Sequence, residues 1–203
     1  MLSAAAHFSM LLSWDKYTSD LAKGMNHFRW IEYSLSSSLI LSLLFIVWLN
    51  FDFVQLSGTF TINACMCLFG DMHERINAGR APAKVDWTAF TYGSFVGIVS
   101  WCWFWYTVIT SPYVGDYPWY AWAYSISYFV LFFSFPSVMF FQYTQVGKFN
   151  NSNYPDLTNG GYLYGERVYM ILSLSIKSML LWMVAGAMFS SSSADWADIG
   201  QDY

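Results

Sequence analysis

Five apolar runs of this sequence are each close to the roughly 20 residues that an α-helix needs to cross a bilayer. They cover residues 28–50, 53–70, 87–111, 119–143 and 168–189. Because backbone polar groups find no partner in lipid, such runs form helices. Charged residues make up only 11% of the chain, which excludes a disordered protein. The pattern predicts an all-α, polytopic membrane helix bundle, with one transmembrane domain over residues 1–203.

A sixth apolar run at about residues 2–14 is shorter than the others. It reads "LSAAAHFSMLLSW" and stops at Asp15 and Lys16. About 13 helical residues span roughly 20 Å, whereas the hydrocarbon core is about 30 Å thick. A signal peptide is the alternative, but the run has neither a positive n-region nor a small-residue cleavage site. We therefore expect the last part of a spanning helix whose beginning precedes this sequence.

The basic residues are distributed asymmetrically between the connections. Apart from Lys177, every Lys and Arg lies in or beside the first, third or fifth connection: Lys16, Lys23, Arg29, Arg75, Arg80, Lys84, Lys148 and Arg167. The second and fourth connections and the C-terminal tail contain none. The positive-inside rule places the basic connections in the cytoplasm, so we expect an extracytoplasmic C-terminus and integral insertion in the cell membrane.

Lys177 lies in the middle of the last apolar run, "RVYMILSLSIKSMLLWMVAG". Its amine is too far from either interface to reach water easily, and an isolated charge at that depth costs a few kcal/mol or more. Three explanations remain open from the residues alone. The lysine could be paired to fix helix packing, could line an ion path, or could bind an aldehyde ligand as a Schiff base.

Glu32 is the only carboxylate that the predicted spans place well inside a helix. Ser36 follows it by one turn, and Ser173 precedes Lys177 by one turn, so hydroxyl groups are expected beside both charges. His7 is the third ionisable candidate near mid-membrane. It could be a hydrogen-bonded core histidine or a proton carrier.

Two further spans are unusually aromatic, with "SWCWFWY" at 100–106 and "SYFVLFFSFPSVMFF" at 127–141. Such residues can wall a flat apolar ligand or simply pack helices. Pro136 is expected to bend its helix and open room there.

Other classes of site are not indicated. Asp71, His73 and Glu74 are predicted at a solvated helix end and not in a metal site. The three cysteines fall inside apolar spans and indicate no disulfide framework. The mildly acidic chain has no basic patch for nucleic acid.

Three motifs resemble a known family. "FRWIEYSLSSSLIL" at 28–41, "INACMCLFG" at 62–70 and "GERVYMILSLSIKSMLLW" at 165–182 are similar to the third, fourth and seventh helices of heliorhodopsins. The resemblance covers nearly the whole chain in order. It implies a seven-helix, rhodopsin-like retinal protein of inverted topology, of which this chain carries about six helices, the second of them partial. That topology agrees with the orientation inferred from the charges.

The resemblance also implies roles for individual residues. Lys177 matches the lysine that binds all-trans retinal as a Schiff base, and Glu32 matches its counterion. Ser3 and His7 match a polar cavity near the Schiff base. The remaining matches are Ser36 and Ser173 in its hydrogen-bonded surroundings, and Asn63, Met66, Gly70, Trp101 and Phe133 along the retinal. Met139 stands where the family pattern has a glutamine, which is expected to change the absorption maximum.

These features favour a light-sensing photoreceptor that is neither an enzyme nor a pump. A relay of ionisable groups across the bilayer, which proton transport usually needs, is not evident beyond Glu32. We expect the bilayer, a second copy of the chain and an unidentified cytoplasmic signalling protein as partners, with a homodimer implied by the resemblance. A light-gated proton or cation conductor and a membrane scaffold without chromophore are the alternatives.

Overall fold

A computed structural model describes residues 2–117, 119–157 and 159–199, with the side chains of residues 2, 3, 184 and 187–199 outside that description. Within the described chain the secondary structure is entirely helical, which confirms the all-α prediction. The α-helices are α1 (Leu2–Leu12), α2 (Trp14–Ala22), α3 (His27–Val47), α4 (Phe53–Asn77), α5 (Thr88–Ile109), α6 (Trp119–Thr144) and α7 (Gly160–Ile199). Short 3-10 helices at Pro82–Lys84, Gly147–Phe149 and Asn151–Asn153 lie in the connections.

Helices α3 to α7 occupy the five predicted full spans. Three helices of the described chain, α3, α4 and α6, combine the length and the apolar character needed to cross a bilayer. Helix α5 has 22 residues, which corresponds to about 33 Å, so it is also long enough to cross. Its apolar surface consists largely of Trp, Tyr and Phe.

Two helices are longer than their predicted spans. Helix α4 continues to Asn77, past residue 70, and α7 begins at Gly160, before residue 168, and continues past residue 189 to Ile199. A hydropathy pattern predicts the end of a span at the first charged residues. Those residues still continue the helix when charged or hydrogen-bonding groups elsewhere in the chain pair with them. The additional turns at the C-terminal end of α4 and the N-terminal end of α7 carry a second ionic site.

The residues after the first apolar run are also helical, where a plain connection was predicted. Ser13 interrupts the helix with φ −118° and ψ 37°, and α2 follows at once. The carbonyl oxygen of Ser13 accepts a hydrogen bond from the Tyr17 amide at 2.9 Å, which begins the hydrogen bonding of α2. Helix α2 carries Asp15, Lys16 and Asp20 and contains no buried residue.

Helix α3 packs against α1 and α4, α4 packs against α5, and α6 packs against α7. The contact between α4 and α5 is close because Gly93 and Gly97 face α4. A Cβ atom at Gly93 would approach the Cβ of Phe69 to 2.9 Å, and one at Gly97 would approach Met66 Sδ to 2.8 Å. Side-chain caps fix the helix starts, since Asn26 accepts from the Arg29 amide and Asp52 accepts from the Gln55 amide. The five long helices thereby enclose a space between them.

Candidate functional site: an apolar cavity beside a buried ion pair

A cavity of about 600 Å³ lies between α3, α4, α5, α6 and α7. This volume is within the range of roughly 300–1,000 Å³ that is typical of small-molecule sites. Its wall is mostly apolar and aromatic, with a few hydroxyl groups and one amine. The lining residues include Trp30, Tyr33, Ser36, Ser37, Met66, Cys67, Gly70, Gly97, Trp101, Tyr128, Phe132, Phe133, Met139, Ser173 and Lys177.

Lys177 and Glu32 form an ion pair at this cavity. The Nζ of Lys177 on α7 lies 2.7 Å from Oε1 of Glu32 on α3. The side chain of Glu32 is 6% exposed and that of Lys177 is 28% exposed. The lysine amine also lies 6.0 Å from the centre of the Tyr33 ring. The pair explains how a charge is tolerated at this depth, and the remaining exposure of the lysine faces the cavity that it lines.

Hydroxyl groups on α3 continue the polar side of the cavity. The Ser37 hydroxyl donates to the carbonyl oxygen of Tyr33 at 2.7 Å and lies 3.4 Å from Cys67 Sγ. Behind this wall, Asn63 Nδ2 donates to the hydroxyl oxygens of Ser37 at 2.8 Å and Ser38 at 3.0 Å. The polar groups are therefore tied to α3 and α4, which fixes their positions.

Aromatic rings form the opposite side. The indole of Trp101 makes edge-on contacts with Phe104, Phe129 and Phe132, with ring centroids 5.2–5.4 Å apart. Edge-on contacts at these distances are a favourable arrangement for aromatic rings, so the rings stabilise one another in the wall. Pro136 of α6 also lies in the cavity wall.

The structure brings together most of the residues predicted for this site. Ser36, Met66, Gly70, Trp101, Phe133, Met139, Ser173 and Lys177 all line the cavity. Asn63 is fully buried behind the wall, and His7 is exposed on α1 and is not part of the lining. The side chain of Ser3 lies outside the described residues.

A second ionic site was missed from the sequence. Arg29 of α3 bridges two carboxylates, with Nη2 paired to Glu74 of α4 and Nη1 paired to Glu166 of α7. All three are buried, at 4%, 1% and 7% exposure. Glu32, the only carboxylate that the predicted spans placed well inside a helix, is not the only buried one, and the solvated helix end predicted for Asp71, His73 and Glu74 was wrong. Those three side chains are buried near the end of α4.

Asn26 and aromatic rings complete this second site. The Asn26 amide donates to Glu74 Oε2 at 2.9 Å, and its side-chain Nδ2 donates to Glu166 Oε2 at 2.6 Å. The Arg29 guanidinium lies over the Tyr169 ring, 4.0 Å from its centroid. We name Asn26, Arg29, Glu74, Glu166 and the contacting Tyr162 the arginine cluster. It joins α3, α4 and α7 at one end of the bundle.

The charge of the arginine cluster reaches α2. Burial raises the pKa of the Tyr17 phenol, the negative charge of Glu166 raises it further, and Arg29 lowers it. The signal that could have identified the cluster is the coincidence of Arg29, Glu74 and Glu166 at helix ends on the same side of the predicted topology.

Asp71 belongs to a separate, more exposed group. Its carboxylate pairs with His27 Nδ1 at 2.8 Å and with Arg75 Nε at 2.7 Å. Among the described residues, no set of three or more His, Cys, Asp and Glu side chains is arranged to hold a metal ion.

The sequence matches the model of the family described as Heliorhodopsin over residues 1–189. No curated protein matches the chain.

Proposed function

Because the family match covers most of its length, the protein belongs to the heliorhodopsin family of retinal-binding, light-sensing membrane proteins, and we propose that Lys177 is its site of retinal attachment. The observation that carries the proposal is the position of the Lys177 amine. It lies at the wall of an apolar cavity and 2.7 Å from a buried carboxylate. We further propose that the bound isomer is all-trans and that the protein acts as a sensor.

The residues around the cavity fit a long, flat, apolar chromophore. Its volume of about 600 Å³ is sufficient, and its rigid aromatic wall provides apolar contact along its length. Gly97 allows Met66 to lie in the cavity wall, because a Cβ there would meet Met66 Sδ at 2.8 Å. Among the described residues that line the cavity, Lys177 carries the only amine.

Retinal, joined to Lys177 as a Schiff base, supplies visible absorption and a light-driven change of shape. The chain supplies the electrostatics. Glu32 stabilises a positive charge on the Lys177 nitrogen, because an opposite charge at hydrogen-bonding distance favours the protonated form. Ser36 and Ser173 place hydroxyl groups in the cavity wall near this pair.

The partners of two other buried carboxylates favour a sensor that does not pump ions. Glu74 and Glu166 are both paired with Arg29, so they do not form an open relay from Lys177.

We propose that the basic connections face the cytoplasm, that a signalling protein binds there, and that two copies of the chain form a dimer. Reproducible photocurrents in a voltage-clamped cell, abolished in Glu32→Gln, would instead establish a light-gated conductor.

The decisive experiment is the visible absorption spectrum of the purified protein supplied with retinal. We expect a band that hydroxylamine bleaches, and we expect Lys177→Ala to lack it. Lys148→Ala is the matched control, because Lys148 lies in the connection between α6 and α7, away from the cavity lining. A band that survives in Lys177→Ala, or that is absent from the unmodified protein, would refute the attachment site.

Glu32→Gln tests the counterion in the same preparation. We expect the band to shift and its protonated form to be lost at a lower pH, because the amide no longer stabilises the positive charge. An unchanged dark spectrum and an unchanged titration would exclude Glu32 from this role.

A further inference from the structure

The arginine cluster contains more negative than positive charge. Glu74 and Glu166 each carry one negative charge when ionised, and Arg29 carries one positive charge. The guanidinium has one Nη paired to each carboxylate. When both carboxylates are ionised, the cluster therefore holds one uncompensated negative charge in a buried position.

No other cation compensates that charge within the described chain. The described ion pairs give Glu74 and Glu166 no positive partner besides Arg29. The other described side chains that face the cluster are neutral: Asn26 and Trp30 from α3, Tyr17 from α2, Tyr143 from α6, and Tyr162 and Tyr169 from α7. His27 and Arg75 are nearby in the chain, but both are engaged with Asp71.

A buried net charge is unfavourable, and two carboxylates that share one site avoid it by keeping one proton. We propose that Glu74 and Glu166 hold a single shared proton in the dark, so that the arginine cluster is a neutral, one-proton site. Neutral donors surround the two carboxyl groups and orient their oxygens, and none of them adds a positive charge. The Tyr162 hydroxyl lies 3.5 Å from both oxygens of Glu74, and Asn26 donates to each carboxyl group.

The shared proton lies close enough to Glu32 and Lys177 for the charges of the two sites to interact. Arg29 precedes Glu32 by three residues, so the two side chains lie on one face of α3 about 4.5 Å apart along its axis. Glu166 precedes Lys177 by 11 residues, or about 16 Å along α7. A change in charge at Lys177 and Glu32 is therefore felt by the cluster, and loss of the shared proton leaves a net negative charge that weakens the junction of α3, α4 and α7. The dark-state proton itself requires neither bound retinal nor the proposed light response.

Infrared spectroscopy of the dark protein tests the proposal directly. A protonated carboxyl group has a carbonyl stretch that moves when the sample is exchanged into D2O, and an ionised carboxylate does not have this band. We expect the band in the unmodified protein and its loss in both Glu74→Gln and Glu166→Gln. Each substitution leaves one carboxylate beside Arg29, which makes the site neutral without a proton. Asp116→Asn is the matched control, because Asp116 is exposed in the connection between α5 and α6.

The outcomes separate the proposal from its alternatives. Absence of the band from the unmodified protein over the whole pH range in which it stays folded would overturn it. A band that disappears in only one of the two variants would place the proton on one carboxyl group for local reasons and would also overturn sharing. If either variant fails to fold, titration of the unmodified protein remains decisive, since the band must then vanish on raising the pH with release of one proton per chain.

Discussion

The two buried ionic sites differ in how many hydrogen bonds their charged groups make and in how exposed those groups are. In the arginine cluster, both carboxyl groups accept hydrogen bonds from Arg29 and from Asn26, and an aromatic ring covers the guanidinium. In the cavity, Lys177 pairs with Glu32 but remains partly exposed, with its amine at the wall of an open space. The first arrangement is suited to holding helices together, and the second leaves an amine accessible for chemistry.

Removing the central cation of each site should give the largest difference between them. We expect Arg29→Ala to lower the free energy of unfolding by about 3–5 kcal/mol, because it leaves buried carboxyl groups without their cation. Lys177→Ala should cost less, because the Lys177 side chain is 28% exposed and its loss leaves one buried carboxylate unpaired instead of two. Thermal and denaturant unfolding in detergent, without retinal, measures both.

The control for that comparison is Arg80→Ala. The Arg80 side chain is 44% exposed and lies 4.0 Å from Asp86, so its loss should change stability by about 0–1 kcal/mol. Equal losses for Arg29→Ala and Lys177→Ala would contradict the distinction drawn between the two sites.

Gly70→Ala should disturb the wall between the sites. Gly70 and Trp30 both line the cavity, and a Cβ at Gly70 would overlap the Trp30 indole, which also lies over the Arg29 guanidinium at 4.9 Å. We expect a loss of about 1–3 kcal/mol from overpacking, together with a shift of the visible band. Gly58→Ala in the same helix is the matched control.

At Gly58, no atom lies within 4 Å of the added Cβ. The better helix propensity of alanine should therefore raise stability by about 0.5–1 kcal/mol, without a spectral change. If Gly70→Ala also raised stability, the Trp30 indole would have to move aside without cost, which would contradict the expected overlap.

Tyr33→Phe should have the smallest effect and reports on the link between the sites. The Tyr33 hydroxyl donates to the Tyr169 carbonyl oxygen at 3.2 Å, and its ring packs edge-on against Phe135 with centroids 5.4 Å apart. Loss of this one hydrogen bond should cost about 0.5–1.5 kcal/mol. Tyr92→Phe, on an exposed part of α5, should be neutral in the same unfolding experiment.

The sequence predicted the cavity better than it predicted the arginine cluster. Lys177 and Glu32 are 145 residues apart, but each is a lone charge in the middle of an apolar run, so each needs a partner in the bundle. Arg29, Glu74 and Glu166 lie where apolar runs meet connections. At such positions charged residues are usually solvated, so their location on one side of the predicted topology was a weaker indication than a lone charge inside an apolar run.

The direction in which the side chains of α4 point was a second feature that the sequence did not predict. The resemblance to heliorhodopsins implied that Asn63, Met66 and Gly70 all lie along a retinal. In the structure Asn63 points instead between α3 and α4, towards Ser37 and Ser38. Rotation of α4 about its axis depends on its packing against α3 and α5, and hydropathy carries little information about it.

The amino-acid sequence alone determined the membrane-spanning helices, the asymmetry of the basic connections and the need for a partner to Lys177. Each of these follows from the cost of placing polar or charged groups in lipid, which is a property of local composition. Only the tertiary structure decided that Arg29 bridges two carboxyl groups and that α4 and α7 extend past their apolar runs. Those features depend on contacts between residues 45 and 137 positions apart, and such contacts exist only once the helices are packed.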